Sequence, residues 1–554
     1  VTVDSLDIAA SKTATFKNNV TLNTSATINS SATFLVASAD SAAAITVTGS
    51  ILGASDGVGT VQITNTGGTT FTTTVGNTAN TLALINIDQD TTFSGSVEAT
   101  AINNAASTTA TFSDNVTATI TNSGTLLFNA TDAKTVTGTI AEAAEGDTTE
   151  IKVINSANGE APSVVTFKNT VAADTLTVGT TSKAGAALFE DDVTVPAINI
   201  TGGDVDAEDS TVTFNTAVTA TTIVLNDQTG DAKMVFATAT DSTIAGTIRG
   251  HADDEGTIQV TGATKTFSGT IGASIAETGY ALTLINIDGT SIFNAAVSAT
   301  NIDNDGTATF KSDVTAATAN DGTLTLTPNG DNDITHSGAI SGAGILNAVE
   351  ADDDAVNSVT FSTTVAAATF NIGSTTKSGV VILNGDTTVT NLNIYAGDAN
   401  AEDSTVTVNG DLDTTTTTLD DGTNSAVTKI IFADTDPVTI SGAITAATAN
   451  DGTIQVTGAN KTFSGTIGGT RIGTLDIDET STYTGAVTVD SLDIAASKTA
   501  TFKNDVTLNT SATINSSSTF LVASAGTPAA ITVTGSVLGA SDGVGTVQIT
   551  NTGG

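Results

Sequence analysis

Four short stretches gather carboxylates closely enough to suggest cation chemistry. "GDVDAED" supplies Asp204, Asp206, Glu208 and Asp209, and "GDANAED" supplies Asp398, Glu402 and Asp403. "EADDDA" supplies Asp352, Asp353 and Asp354, and "IDNDG" supplies Asp303 and Asp305. Calcium takes six to eight oxygen ligands in flexible geometry, and alternating acidic residues followed by glycine form part of its usual loop pattern. These residues are candidate calcium ligands, and calcium is the one cofactor the sequence suggests. No complete EF-hand loop or glycine–aspartate nonapeptide repeat accompanies them, so the competing reading is a solvated acidic loop that supplies charge.

Other constellations point to less. The two histidines, His251 and His336, lie 85 residues apart and neither has a counterpart in the other copy of the repeat described below. Both read as ordinary surface residues. "RGHADDEG" (Arg249–Gly256) places a base, an imidazole and carboxylates together, and paired carboxylates can act as acid and base in glycoside cleavage. The equivalent stretch of the next copy, "ITAATAND" (Ile444–Asp451), has neither Arg nor His. The sequence therefore predicts no enzyme. Threonine runs such as Thr414–Thr418 could order water on a flat face, but ice binding needs a constant turn length, and threonine is also simply a good strand former.

Composition says what must carry these residues. In 554 residues there is no Cys and no Trp, aromatics are 4% and charged residues 13%, while mean hydropathy is +0.16. The apolar content is mostly Ala, Val and Ile interleaved with Thr, Ser, Asn and Gly, a pattern of strands and turns rather than of disorder. Asp and Glu total 58 against 16 Lys and Arg, a formal charge of −42. Such a chain repels phosphate backbones and anionic lipid, which argues against nucleic-acid partners. No run of about 18 apolar residues occurs, so no helical membrane insertion by this segment is expected. The absence of an initiating Met and of a leader makes the chain read as part of something longer.

Repetition dominates the organisation. Residues 1–68 return at 487–554 with six differences. "GTIQVTGATKTFSGTIG" from Gly256 returns as "GTIQVTGANKTFSGTIG" from Gly452, with degenerate copies from Gly59 and Gly545. This divides the chain into 1–58, the end of a short unit; 59–255 and 256–451, two long units; 452–544, a short unit; and 545–554, the start of another. A shorter phrase, T-x-F-x-x-x-V, recurs about every 20 residues, as at Phe71, Phe93 and Phe112.

A unit of that length cannot bury a core alone but can when stacked on its neighbours. The expected fold is all-β: a right-handed parallel β-solenoid (β-helix) of about 20 residues per turn, one continuous rod of about 28 turns and roughly 130 Å. Phe, Val, Ile and Leu would stack inside, with Thr, Ser, Asn and Asp outside. A string of immunoglobulin-like sandwiches is the runner-up, disfavoured because the short phrase runs through every unit.

"GTLDIDETSTYTGAVTVDSLDI" (Gly473–Ile494) resembles the autotransporter-associated β-strand repeat, and Gly452–Gly468 is similar to it with Phe in place of Tyr. The resemblance implies a β-helical region displayed outside bacterial cells, often on very large adhesins or surface-layer proteins. The expected function is a structural segment of a giant extracellular bacterial surface protein, a filament, stalk or coat. The alternatives are an adhesin stalk presenting a tip, or a calcium-dependent surface layer. Expected partners are further copies of the same chain or array, end to end or side by side.

Overall fold

The computed structural model describes residues 1–39, 42–129, 131–144, 146–154, 160–272, 279–328, 332–350, 357–398, 402–423, 426–526 and 529–554. Every regular element among them is a β-strand, and the strands pair in parallel as a β-solenoid of about 23 turns with roughly 22 residues per turn. The turns are therefore longer and fewer than the spacing of the short phrase predicts. The chain divides into two units, Val1–Thr290 and Ser291–Gly554, and the division falls inside the second long repeat.

Within the strands the side chains alternate. Thr125–Phe128 and Thr323–Leu326 each bury their second and fourth residues, and Val314–Asn320 alternates buried and exposed over its whole length. This two-residue period puts Val, Ile, Leu and Phe inside and turns the intervening residues outward, although Thr318 and Asn320 are themselves among the buried positions. The glycine that opens each "GT-x-Q" phrase is a corner: Gly59, Gly256 and Gly452 have φ of 83°, 85° and 78°. A Cβ on Gly256 would also lie 2.3 Å from that of Leu225, so any other residue would be both strained and crowded.

In the first unit the pairing forms three series, each one wall of the solenoid. The first runs Val20, Val47, Phe71, Phe93, Phe112, Phe128, Val153, Val178, Ile200, Leu225. A second runs Val75, Val97, Val116, Val136, Phe167, Phe189, Phe214, Phe236, Val260, Ile287. The third runs Phe34, Val61, Ile85, Ile102, Ile120, Ile140, Val171, Val193, Val218, Ile244, Phe267.

The phenylalanines thus do not form one stack. They occupy one wall for several turns and then move to the next. Along a wall they stack face to face, as in Phe71–Phe93 at 5.2 Å and 6° or Phe167–Phe189 at 4.8 Å and 8°. Where the run changes wall they meet edge to face, at Phe128–Phe167 (89°) and Phe236–Phe267 (84°). Equivalent positions on successive turns project in the same direction and so present parallel rings; side chains from different walls approach from different directions.

The second unit follows the same plan. One wall carries Val314, His336, Phe361, Leu383, Val408 and Phe432. Another carries Ile440, Phe463, Tyr483 and Phe502. Phe432 meets Phe463 across the core at 88°, whereas Phe463 and Tyr483 stack at 4.9 Å and 9°. Turn lengths recur between the units. The steps Val171–Val193–Val218 are 22 and 25 residues, and Val365–Thr387–Leu412 are the same.

Candidate functional site: the acidic loops and the buried charges

The two Gly-Asp stretches are anchored in the same way at their described ends, once in each unit. In the first unit the strand Ala197–Thr201 leads into Gly202 and Gly203, and the strand Ser210–Phe214 leaves the loop. Gly203 N–H donates to Glu208 O at 2.8 Å, and Glu208 N–H donates to Val205 O at 2.9 Å. The Glu208 side chain is buried over the glycine, and a Cβ on Gly203 would come within 2.2 Å of its Oε2. Ser210 Oγ donates to Thr201 O at 2.5 Å and accepts from Gly185 N–H at 3.0 Å, tying the loop to the preceding turn.

In the second unit Gly397, Glu402, Ser404, Tyr395 and Gly379 repeat the arrangement. Gly397 N–H donates to Glu402 O at 3.0 Å, and Ser404 Oγ donates to Tyr395 O at 2.5 Å and accepts from Gly379 N–H at 2.9 Å. A Cβ on Gly397 would meet Glu402 Oε2 at 2.1 Å.

The acidic side chains of these loops are divided between inside and outside. Glu208 and Glu402 are buried; Asp204, Asp206, Asp209, Asp398 and Asp403 are exposed. Asp209 accepts the backbone N–H of Asp231 at 2.9 Å, and Asp403 accepts that of Val427 at 2.8 Å, each one turn further along. Asp303 lies on the outward face of the strand Val297–Asn304, and Asp305 is exposed in the turn after it. Asp352, Asp353 and Asp354 lie outside the described residues. Among the described residues, no group of three or more His, Asp or Glu is placed to hold a metal ion.

A recurring use of aspartate in this chain, as at Asp209 and Asp403, is a bond from one turn to the next. Asp90 accepts from Thr109 N–H, Asp192 from Ala217 N–H, Asp313 from Thr335 N–H and Asp333 from Ser358 N–H, at 2.7–3.2 Å. Asp227 bridges Ala232 N–H and Gly256 N–H, both at 2.7 Å, and Asp421 takes Thr428 N–H at 2.6 Å and Gly452 N–H at 2.8 Å. A backbone N–H where the chain turns a corner lacks a strand partner, and a carboxylate satisfies it through a charge-assisted bond. Burial raises the Asp227 carboxyl above its ordinary range, against the two N–H bonds that lower it. Burial, together with Asp227, Asp209 and Asp206, raises Asp231.

One residue departs from the sequence reading, and two buried lysines are not singled out by it. His336 is not on the surface: it is buried in a wall where the first unit has Val136. Its Nδ1–H donates to Gly338 O at 3.0 Å, so Nε2 accepts from Thr318 Oγ1 at 3.0 Å, and burial pushes the imidazole down to about 4. Lys265 and Lys461, two residues before Phe267 and Phe463, are also buried. Lys265 Nζ donates to Thr240 O and Lys461 Nζ to Asp436 O, both at 2.5 Å. Their position in "KTF" was the available signal, because residues two apart on a strand share a face. His251, by contrast, is exposed, and in its stretch Asp253 accepts from Ala281 N–H and Glu255 from Ala252 N–H. Arg249 lies 4.6 Å over the Tyr280 ring.

No protein-family model, curated protein or solved structure matches the chain. The likeness of Gly473–Ile494 to the autotransporter-associated repeat therefore remains a likeness of motif.

Proposed function

We propose that this chain is a structural repeat segment of a giant extracellular bacterial surface protein, working as a stiff filament, stalk or coat. Its mechanism is mechanical: each turn templates the next through parallel strand pairing. The observation that supports this most directly is the commitment of polar side chains to turn-to-turn bonds. In the first unit Asn103 donates to Asn86, and Asn86 to Gln62, at 3.0 and 2.9 Å. In the second, Asn393 donates to Asn371, and Asn371 to Asn347, at 2.9 and 3.0 Å. Such ladders resist shear between turns without disulfides. The partners in this reading are further copies of the array, with no nucleic acid and no membrane insertion.

Electron microscopy of the native material at the cell surface tests it. Single projecting fibres support a filament or stalk; a continuous lattice supports a coat. Protein confined to the cell interior would end the extracellular reading.

A further inference from the structure

The second unit contains an open cavity of about 300 Å³ that crosses four successive turns beside the Gly397 loop. Its lining includes Tyr395, Gly397, Asp398, Asp420, Gly422 and Thr448. Tyr395 closes the strand Thr387–Tyr395 and pairs in register with Asp420, at the end of the strand Leu412–Asp420. A half-buried aromatic ring and a half-buried carboxylate therefore sit side by side on adjacent turns. Asp398 adds a second carboxylate, and among the described residues that line the cavity there is no Lys, Arg or His.

The first unit supplies an internal control. There the same two register partners are Thr201 and Asn226, while the loop around them keeps its buried glutamate and its serine clip. The fold of the loop consequently needs neither the ring nor the charge. The second unit carries both, at neighbouring positions, and they line a cavity.

We propose that this cavity is a binding site for an organic ammonium cation, held by the Tyr395 ring and the carboxylates of Asp420 and Asp398. An aromatic face attracts a cation through its quadrupole, and carboxylates beside it add direct attraction. A cavity of this size is at the small end of ligand sites and suits an alkylammonium group. The local potential at the Tyr395–Asp420 pair is negative: burial and then Asp420 raise the Tyr395 hydroxyl, and burial with Asp421 and Asp420 raises Asp451. The ammonium group could belong to a lysine side chain of a partner protein or to a choline-type headgroup.

Titration calorimetry of the full chain at fixed ionic strength tests the assignment, using tetramethylammonium and n-butylammonium as probes. Saturable binding is expected, weakened roughly tenfold by Tyr395→Thr and by Asp420→Asn. Both variants install the first unit's own residues, so folding is preserved. The double variant Thr201→Tyr/Asn226→Asp should create a second site. Nα-acetyl-lysine methylamide and phosphocholine then separate the two sources: preference for the first indicates a protein amine, for the second a headgroup. Three results would overturn the proposal. They are no saturable binding by either probe, equal binding by neutral tert-butanol or a methyl glycoside, and calcium binding that Tyr395→Thr leaves unchanged.

Discussion

Thr318 and His336 form a hydrogen-bonded pair inside the second unit, Oγ1 to Nε2 at 3.0 Å, at positions where the first unit has Ile120 and Val136. The two copies have exchanged an apolar pair for a polar one as a set, as burial requires: either polar residue alone would leave an unsatisfied group in the core.

The pair gives the second unit a pH dependence. The folded pKa of His336, about 4, lies below its ordinary value of 6.5. Both states are neutral above pH 6.5; between 6.5 and 4 the unfolded chain takes up a proton that the folded chain refuses. Stability from this group is therefore lost as pH falls through that window, by up to about 3 kcal/mol. Thermal melts from pH 7 to 4 should show this loss relative to the double variant Thr318→Ile/His336→Val. Parallel pH profiles for the two proteins would refute it.

Several carboxylates act in the opposite direction. Asp227, Asp231, Asp451, Asp476 and Glu350 are all raised, each chiefly by burial. A carboxyl group whose folded pKa exceeds its unfolded one favours the fold at lower pH and loses that contribution as pH rises. In the Thr318→Ile/His336→Val background, the melting temperature should rise as pH falls from 7 toward 4.5. A flat or falling profile would show that these groups are not desolvated.

Much of this architecture is readable from the sequence, and the exceptions have physical causes. Steps of 22 and 19 residues between Phe71, Phe93 and Phe112 are single turns on one wall. The 39-residue step from Phe128 to Phe167 is a turn, to Val153, plus one strand. Spacing alone thus contains the change of wall, but only once the number of strands per turn is known. The inward place of His336 is also encoded, in the alternation of Ile334, Thr335 and His336. The role of Asp209 is not: its partner, the Asp231 N–H, is 22 residues away and belongs to the backbone, so no side-chain pattern marks it. Read locally, a cluster of acids suggests a cation; in three dimensions at least two of them, Asp209 and Asp403, hold the next turn in place.

Asp421 is the most heavily used of these ties, accepting from Thr428 N–H, Thr428 Oγ1 and Gly452 N–H. Asp421→Ala removes all three hydrogen bonds and should cost about 2–3 kcal/mol, with Asp421→Asn in between. Hydrogen exchange should accelerate at Gly452 and Thr428 before it does on the neighbouring walls. Uniform acceleration across the second unit would mean that the tie is not local.

Lys461 separates packing from charge. Its aliphatic stem lies in the core and its ammonium caps a loop carbonyl. Lys461→Met keeps most of the stem and avoids desolvating a charge, so its effect should be within about 1 kcal/mol. Lys461→Ala leaves a cavity and should cost about 2–4 kcal/mol. Denaturant melts of the two variants decide the matter. If Met costs as much as Ala, the ammonium–carbonyl bond dominates and the residue is held for its charge.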